Sequence, residues 1–176
     1  KADFIVGNPP FIVDKKMRLA LGNGYVNALR GAYEELPESI DFVLYWWHKS
    51  AQLLNSKEVR AFGLITTNSI SQTFNRRVIE SHMSKGLKLL FAIPDHPWVD
   101  NADGAAVRIA MTVASLRTDK AATQQTVQNE FQTEDKADGL TVTLIEKSGA
   151  IHSDLTIGAN VVGARHLLAN TNLSHV

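Results

Sequence analysis

Three short apolar runs, at residues 3–6, 59–66 and 87–93, alternate with two segments of helical period at 40–54 and 75–85. No other feature of the chain restricts its fold so tightly. Parallel neighbours in a sheet need a crossover between them, and a helix is the usual one. The alternation therefore predicts an α/β fold: a parallel sheet with helices on both faces. The first helical segment follows Pro37-Glu38-Ser39, where Pro suits a helix start and Ser39 suits the N-cap. Apolar residues then recur at Ile40, Val43, Leu44, Trp47, Ala51 and Leu54, and the adjacent Trp46 and Trp47 are both expected in the core. In the second, Asn75 is the expected cap and Gly86 the stop. A shorter helix is expected near 14–21, and glycines at 22, 24 and 31 predict loop after it.

The remaining strands are of a different kind. A long apolar run at 105–116 follows the third strand after only about ten residues, a polar loop holding Pro97, Trp98 and Gly104. That is too little chain for a parallel crossover, so this strand is expected to insert antiparallel. Residues 117–138 are rich in Thr, Gln, Asp and Lys without periodicity and read as an exposed excursion or linker. One more strand is expected over 140–145, and the tail from Gly149 has no strong period.

With 176 residues, 44% of them apolar, the chain has material for one domain with a real core. Eighteen basic residues balance eighteen acidic ones, so the chain carries no overall funnel toward nucleic acid or membrane. The lack of cysteine excludes disulfide scaffolds and thiolate metal sites and suits a cytoplasmic location. No apolar run reaches the eighteen or so residues of a membrane span. The sequence opens at Lys1-Ala2-Asp3, directly before a strand, and three parallel strands plus one antiparallel are few for a doubly wound sheet. Earlier strands are therefore expected to precede it.

The most informative string is Asp3-Phe-Ile-Val-Gly-Asn8-Pro9-Pro10-Phe11, at the carboxyl end of the first strand, where open α/β sheets bind ligands. The consecutive prolines stiffen the loop and hold Asn8 extended. A fixed Asn amide oxygen beside a fixed carbonyl forms a pair of acceptors able to hold a planar amino group by both hydrogens. Phe11 offers a face for a planar substrate to stack on.

Asn-Pro-Pro-Phe after a short apolar strand resembles the catalytic motif of class I S-adenosylmethionine-dependent amino-group methyltransferases, DNA adenine methyltransferases in particular. Gly63-Leu-Ile-Thr-Thr-Asn-Ser69 resembles that family's next strand and loop, and Ala105-Ala-Val-Arg-Ile-Ala-Met111 its antiparallel last strand. Residues 149–173 are similar to the segment leading into the recognition domain of large single-chain restriction-modification enzymes of type IIG kind. The resemblance implies a partial Rossmann-like sheet. It divides the chain into a substrate-side half of the catalytic domain (1–116), the excursion (117–138), and an end of the catalytic domain (139–176) that leads to a target-recognition domain.

The same resemblance implies that a flipped adenine is held through its exocyclic amine by the Asn8 oxygen and the Pro9 carbonyl, in a loop completed by Pro10 and Phe11. Base flipping costs a few kcal/mol, and stacking of roughly 1–3 kcal/mol per base offsets part of it. Trp98 is the expected opposite face, and Asn68 part of the pocket rim. The implied cofactor is S-adenosylmethionine and the implied partner double-stranded DNA. The glycine-rich cofactor loop and the acidic ribose-binding residue are absent from this sequence, so Asn8 would only border the cofactor. The fragment alone is expected to be inactive, and to self-associate through an exposed strand edge.

Other patterns carry less. Asp95 with Glu134-Asp-Lys136 imitates a metal-dependent nuclease but places its Glu-x-Lys in the polar excursion; Asp100 and Asp103 lack the closing Glu of a calcium loop, since Met111 stands there. The six histidines show no metal-ligand spacing. Two rival readings remain: a protein glutamine methyltransferase, whose loop reads Asn-Pro-Pro-Tyr, and a catalytically silent α/β binding module.

Overall fold

The computed structural model describes residues 2–99, 106–117, 121–132 and 140–159. The elements run β1 (Phe4–Gly7), α1 (Asp14–Leu21), α2 (Asn23–Ala32), α3 (Val43–Asn55), β2 (Ala61–Thr67), a 3-10 turn (Asn68–Ser71), α4 (Thr73–Met83), β3 (Lys88–Val99), β4 (Ala106–Ser115), β5 (Thr123–Gln132) and β6 (Leu140–Ser148). The six strands form one sheet in the order β1-β2-β4-β3-β5-β6. β1 and β2 are parallel, and β4 is antiparallel to both β2 and β3, so the three apolar runs share one direction and the fourth strand inserts antiparallel between two of them. The α/β reading, a partial Rossmann-like sheet, is what the chain forms.

Alternation along β2 shows which face is covered. Phe62, Leu64 and Thr66 are buried, while Ala61, Gly63, Ile65 and Thr67 are only partly so. The buried side packs under α3. Trp47 is fully buried, meets Phe62 edge-on at 5.1 Å between ring centroids, and donates its indole N–H to Thr112 Oγ1 at 3.2 Å. That last bond settles the one polar atom of the side chain, a requirement for so large an aromatic in a dry core. The opposite face holds Phe4, Val6, Gly63, Ile65, Phe91, Met111 and Val113 around a cleft of about 370 Å³. Val6 is 86% exposed there. The expectation of helices on both faces is thus met on one face only, since no helix covers this second face among the described residues.

Several local expectations change. The helix expected over 40–54 begins at Val43, and Ser39 caps nothing, because the chain ahead of it is held elsewhere: Phe42 N–H donates to Ile12 O at 2.8 Å, and Asp41 is tied to Asp14 and Asn75. Asn75 likewise is no cap; it lies inside α4, whose N-cap is Gln72. Gly86 does stop that helix, at φ +100°. Residues 23–32, read as loop because of their glycines, form α2. Gly22 at φ +83° breaks it from α1, and burial of Val26 repays the weak propensity of Gly24 and Gly31.

Residues 94–99 of the polar loop expected after Ile93 continue β3, and Gly104 lies outside the described residues. Strand pairing resumes at His96↔Ile109 after a register shift and reaches Trp98↔Val107. Pro94 falls in that bulge, and β3 pairs with β5 only at Phe91 and Ala92, so the outer edge beyond them has few ladder bonds for proline to interrupt. Residues 123–132, inside the supposed excursion, form β5; Gln124 is buried, residues 128–131 are exposed, and the backbone pairs with β6. Trp46 is half exposed rather than core, on the side of α3 away from Trp47. The tail from Gly149 folds back through an Ile151↔Ile157 bridge, with Leu155 fully buried and Gln124 donating to its carbonyl at 2.8 Å. A Cβ on Gly149 would stand 2.8 Å from Ile157 Cγ2, so only glycine permits that return. The Glu134–Lys136 and Asp100–Asp103 patterns, His166, His175 and the tail beyond 159 lie outside the described residues.

Between α3 and α4 runs a buried polar chain. Asn55 Nδ2 donates to His82 Nδ1 at 3.0 Å, His82 Nε2 lies 3.0 Å from His48 Nδ1, and His48 Nε2 lies 2.9 Å from Glu35 Oε1. A donor facing each Nδ1 fixes the proton of each neutral ring on Nε2, so each ring N–H meets an acceptor. Burial pushes His82 down to about 4, helped by His48 and Lys85; burial also lowers His48, against the pull of Glu35 and beside Lys49 and Lys85. Histidines held neutral in the fold take up protons on unfolding, so stability is full above their ordinary value near 6.5 and falls as pH drops toward 4. Urea titrations at pH 7 and pH 4.5 should show a loss of up to about 3 kcal/mol attributable to His82, abolished in His82→Gln. Equal pH dependence in that variant would contradict the assignment.

Candidate active site

The parallel direction of β1, β2 and β3 brings the residues that follow them to one end of the sheet. Gly7 ends β1 and leads into Asn8-Pro9-Pro10-Phe11; Thr67 ends β2 and leads into Asn68; Trp98 lies near the end of β3. All six residues singled out in the sequence therefore sit at the carboxyl edge, where α/β sheets place their ligands.

The Asn8–Phe11 loop is anchored at its ends and open at its tip. Pro9 is buried, whereas Asn8 and Pro10 are exposed and Phe11 is partly buried against the core. Ile12 N–H donates to Pro10 O at 3.2 Å, a three-residue turn that puts Phe11 at its apex. Asn8 is exposed, and its amide makes no hydrogen bond to any described residue. Neither Phe11 nor Trp98 is stacked on another ring among the described residues, and Trp98 is 37% exposed.

Asn68 does not stand alone at the rim. Its Nδ2 donates to Asp95 Oδ1 at 3.2 Å; Arg108 Nε donates to the same oxygen at 2.6 Å, and Arg108 NH2 to Glu130 Oε1 at 2.9 Å. This row of partners crosses from the β2 loop through β3 and β4 to β5. The hydrogen bond to Asp95, with a second to Glu130, holds the Arg108 guanidinium above its ordinary range, so its charge is committed within the row. Asn68 thus braces the β3 extension on which Trp98 rides. The row went unread in the sequence because its members are separated by tens of residues and carry no common motif.

A second missed residue is Asp41. It is buried at 8% exposure, and both carboxylate oxygens are used: Oδ1 accepts from Asp14 N–H at 2.9 Å, and Oδ2 from Ser69 Oγ at 2.6 Å and Asn75 Nδ2 at 2.9 Å. No residue spacing announces it; only the fold brings the three segments to one carboxylate.

The arrangement holds no metal cluster: no group of three His, Cys, Asp or Glu side chains could hold an ion among the described residues. Nor do the residues present build a site for S-adenosylmethionine, since no described strand is followed by a glycine-rich turn opening a helix. What the edge offers is an exposed Asn8 amide beside the buried Pro9, on a turn with Phe11 at its apex.

No curated protein is detectably similar in sequence. Among solved structures, the type IIL restriction-modification enzyme MmeI in complex with DNA superposes with a TM-score of 0.66 at 23% identity, over 90% of this chain and 20% of that one. The chain thus spans about one fifth of that enzyme, and the likeness at this identity is one of fold. The sequence comparison reaches further: residues 1–128, from the first strand through the Asn-Pro-Pro-Phe loop and into β5, match the MmeI DNA-methyltransferase domain. With the loop, the antiparallel insertion and the match in agreement, the chain belongs to the MmeI DNA-methyltransferase domain family.

Proposed function

We propose that this chain is the substrate-side part of a restriction-modification methyltransferase that moves a methyl group from S-adenosylmethionine to the exocyclic amine of an adenine flipped out of double-stranded DNA. The observation that carries the reading is the free Asn8 amide on a proline-stiffened turn at the carboxyl edge of β1. The cofactor would supply an electrophilic methyl; this chain's residues act on the amine alone. Asn8 Oδ1 and the Pro9 carbonyl accept one hydrogen bond each from the amine, which orients the nitrogen lone pair and favours its tetrahedral geometry. As the N–CH3 bond forms and the donor's S–CH3 bond breaks, one amine proton would pass to solvent. Phe11 and Trp98 stack on the extruded base. Double-stranded DNA is the proposed partner of the intact protein; MmeI, to which this chain is similar, is described in complex with DNA.

The test is the fate of the label. The intact protein, given S-adenosylmethionine labelled on its methyl group and duplex DNA, should place the label in N6-methyladenine after digestion to nucleosides. Label in N4-methylcytosine, or in a protein glutamine, would overturn the assignment and revive the rival enzyme.

Trp98→Ala separates stacking from backbone attraction. It should weaken binding of duplex with a mismatched, easily flipped adenine by roughly 10-fold, and leave binding of random duplex nearly unchanged, because phosphate contacts do not sense the flipped base. Equal losses on both DNAs in fluorescence anisotropy titrations would remove Trp98 from the site.

The bare face predicts the behaviour of the isolated 176-residue chain. Phe4 and Val6 are exposed along β1, whose outer edge pairs with no strand among the described residues. Such an edge beside an apolar face recruits another strand. Sedimentation should show self-association at micromolar concentration and calorimetry no cofactor binding; a stable monomer would contradict it.

A further inference from the structure

We infer that Asp41 is a positioning residue for the transfer step, holding the Asn8–Phe11 loop at the working distance from the β2 loop. The inference rests on the function proposed above and adds to it a residue outside the motif. Asp41 and its neighbour Phe42 clamp the loop's downstream end twice: Asp14 N–H reaches Asp41 Oδ1 at 2.9 Å, and Phe42 N–H reaches Ile12 O at 2.8 Å. Ile12 directly follows Phe11, so the clamp acts one residue beyond the apex of the turn. From the other side, Ser69 Oγ donates to Asp41 Oδ2 at 2.6 Å, and Ser69 is the neighbour of Asn68. Asn75 completes the set, donating to Oδ2 at 2.9 Å and accepting from Asp41 N–H at 3.0 Å.

The chemistry of that choice is specific. A buried carboxylate is costly unless its oxygens are satisfied, and here three donors satisfy them without any cation among its hydrogen-bond partners. Charge-assisted bonds of this kind are shorter and stronger than neutral ones, and they fix direction as well as distance. A neutral amide in the same shape cannot reproduce them: an Asn at 41 would keep one acceptor but turn a second donor toward the Asn75 amide. Asp41 therefore ties together three segments: the exit of the Asn8–Phe11 loop, the turn after β2 and the first turns of α4. The last two are also joined by Asn75 Nδ2 donating to Ser69 O at 3.1 Å. It touches neither base nor cofactor in this account. Its effect is on where Phe11 and Asn8 stand.

The experiment is single-turnover methylation by the intact protein in excess over DNA, which reads the rate constant separately from the active fraction. Asp41→Asn should lower the rate constant roughly 10- to 100-fold at full amplitude, as expected for a sub-ångström to ångström displacement of a reacting group, with KM for the methyl donor unchanged. Adding Asn75→Asp to Asp41→Asn restores an acceptor opposite the new amide and should recover part of the rate. A wild-type rate constant, or a reduced amplitude with the rate constant intact, would show Asp41 to be merely structural. Should Asp41→Asn fail to fold, Ser69→Ala decides, since it removes one donor and leaves the carboxylate paired. A rate constant several-fold below wild type supports the inference; an unchanged one overturns it. Asn8→Ala, run in parallel, keeps the two readings apart: if it is active, the proposed function fails; if it is dead while Asp41→Asn is wild type, only this inference fails.

Discussion

Asn8→Ala in the intact protein should reduce methyl transfer by on the order of 10³-fold while binding of the methyl donor stays within about twofold. The size follows from what is removed. Loss of a single preorganised polar contact to a reacting group costs about 10²–10³ in rate, and here the same contact also sets the orientation of the attacking nitrogen. The fold should be untouched. Asn8 is exposed beyond the last residue of β1 and makes no bond to the described remainder, so its truncation exposes no buried partner. Equal melting temperatures for Asn8→Ala and wild type, with transfer lost, are the expected pair of results. A variant that melts early would make its inactivity uninformative, and one that turns over normally would remove the acceptor pair from the mechanism.

The second large effect is on stability. Trp47→Ala should destabilise the fold by about 3–5 kcal/mol, the range for truncating a large buried aromatic. Trp47 is fully buried, lies edge-on to Phe62 and His82, and holds Thr112 of β4 by its indole N–H. Its loss therefore opens a cavity under the sheet and strands a buried hydroxyl in one step. Against a total stability of about 5–15 kcal/mol for a domain, that would leave a substantial unfolded fraction at 37 °C. Trp46→Ala, one residue away, should cost less than about 1 kcal/mol because half of that ring is already in water. Chemical denaturation of the two variants side by side measures the difference, and similar midpoints would contradict the packing described for α3.

That contrast also shows what the sequence could and could not disclose. The alternation of apolar runs with helical period is local information, and it was enough for the direction of β1, β2 and β3, and for the antiparallel insertion of β4. The Asn8–Phe11 loop was legible because four adjacent residues carry its geometry. Trp46 was misread because two adjacent tryptophans on a helix lie about 100° apart, and only the partner surface decides which is inside. Residues 123–132 were misread for a related reason. A strand of mostly polar side chains, in which only Gln124 is buried, has no apolar alternation to detect, and its pairing with β6 is written in backbone bonds. β3 hid behind its prolines, which are ordinarily strand breakers but are tolerated at a bulge on a lightly paired edge. Asp41 and the Asn68–Asp95–Arg108–Glu130 row are beyond any local signal, since their partners converge only in the folded chain.

The open face of the sheet belongs with these observations. Its apolar residues alternate as regularly as those under α3, yet Val6 and Phe4 lie exposed. Arg60 partly shields Phe4, its guanidinium 5.7 Å from the ring centroid, but one cation over one ring does not replace a helix. Among the described residues, a sheet patterned for burial on both sides is covered on one.

The most direct test of the central claim is a structure of the intact protein with its target duplex and a non-reactive analogue of the methyl donor. The expected result is an adenine extruded from the helix, its amine nitrogen within about 3.2 Å of both Asn8 Oδ1 and the Pro9 carbonyl oxygen, and its ring against Phe11. An adenine still stacked in the duplex, or a flipped base whose amine meets other acceptors while Asn8 stays in solvent, would contradict it.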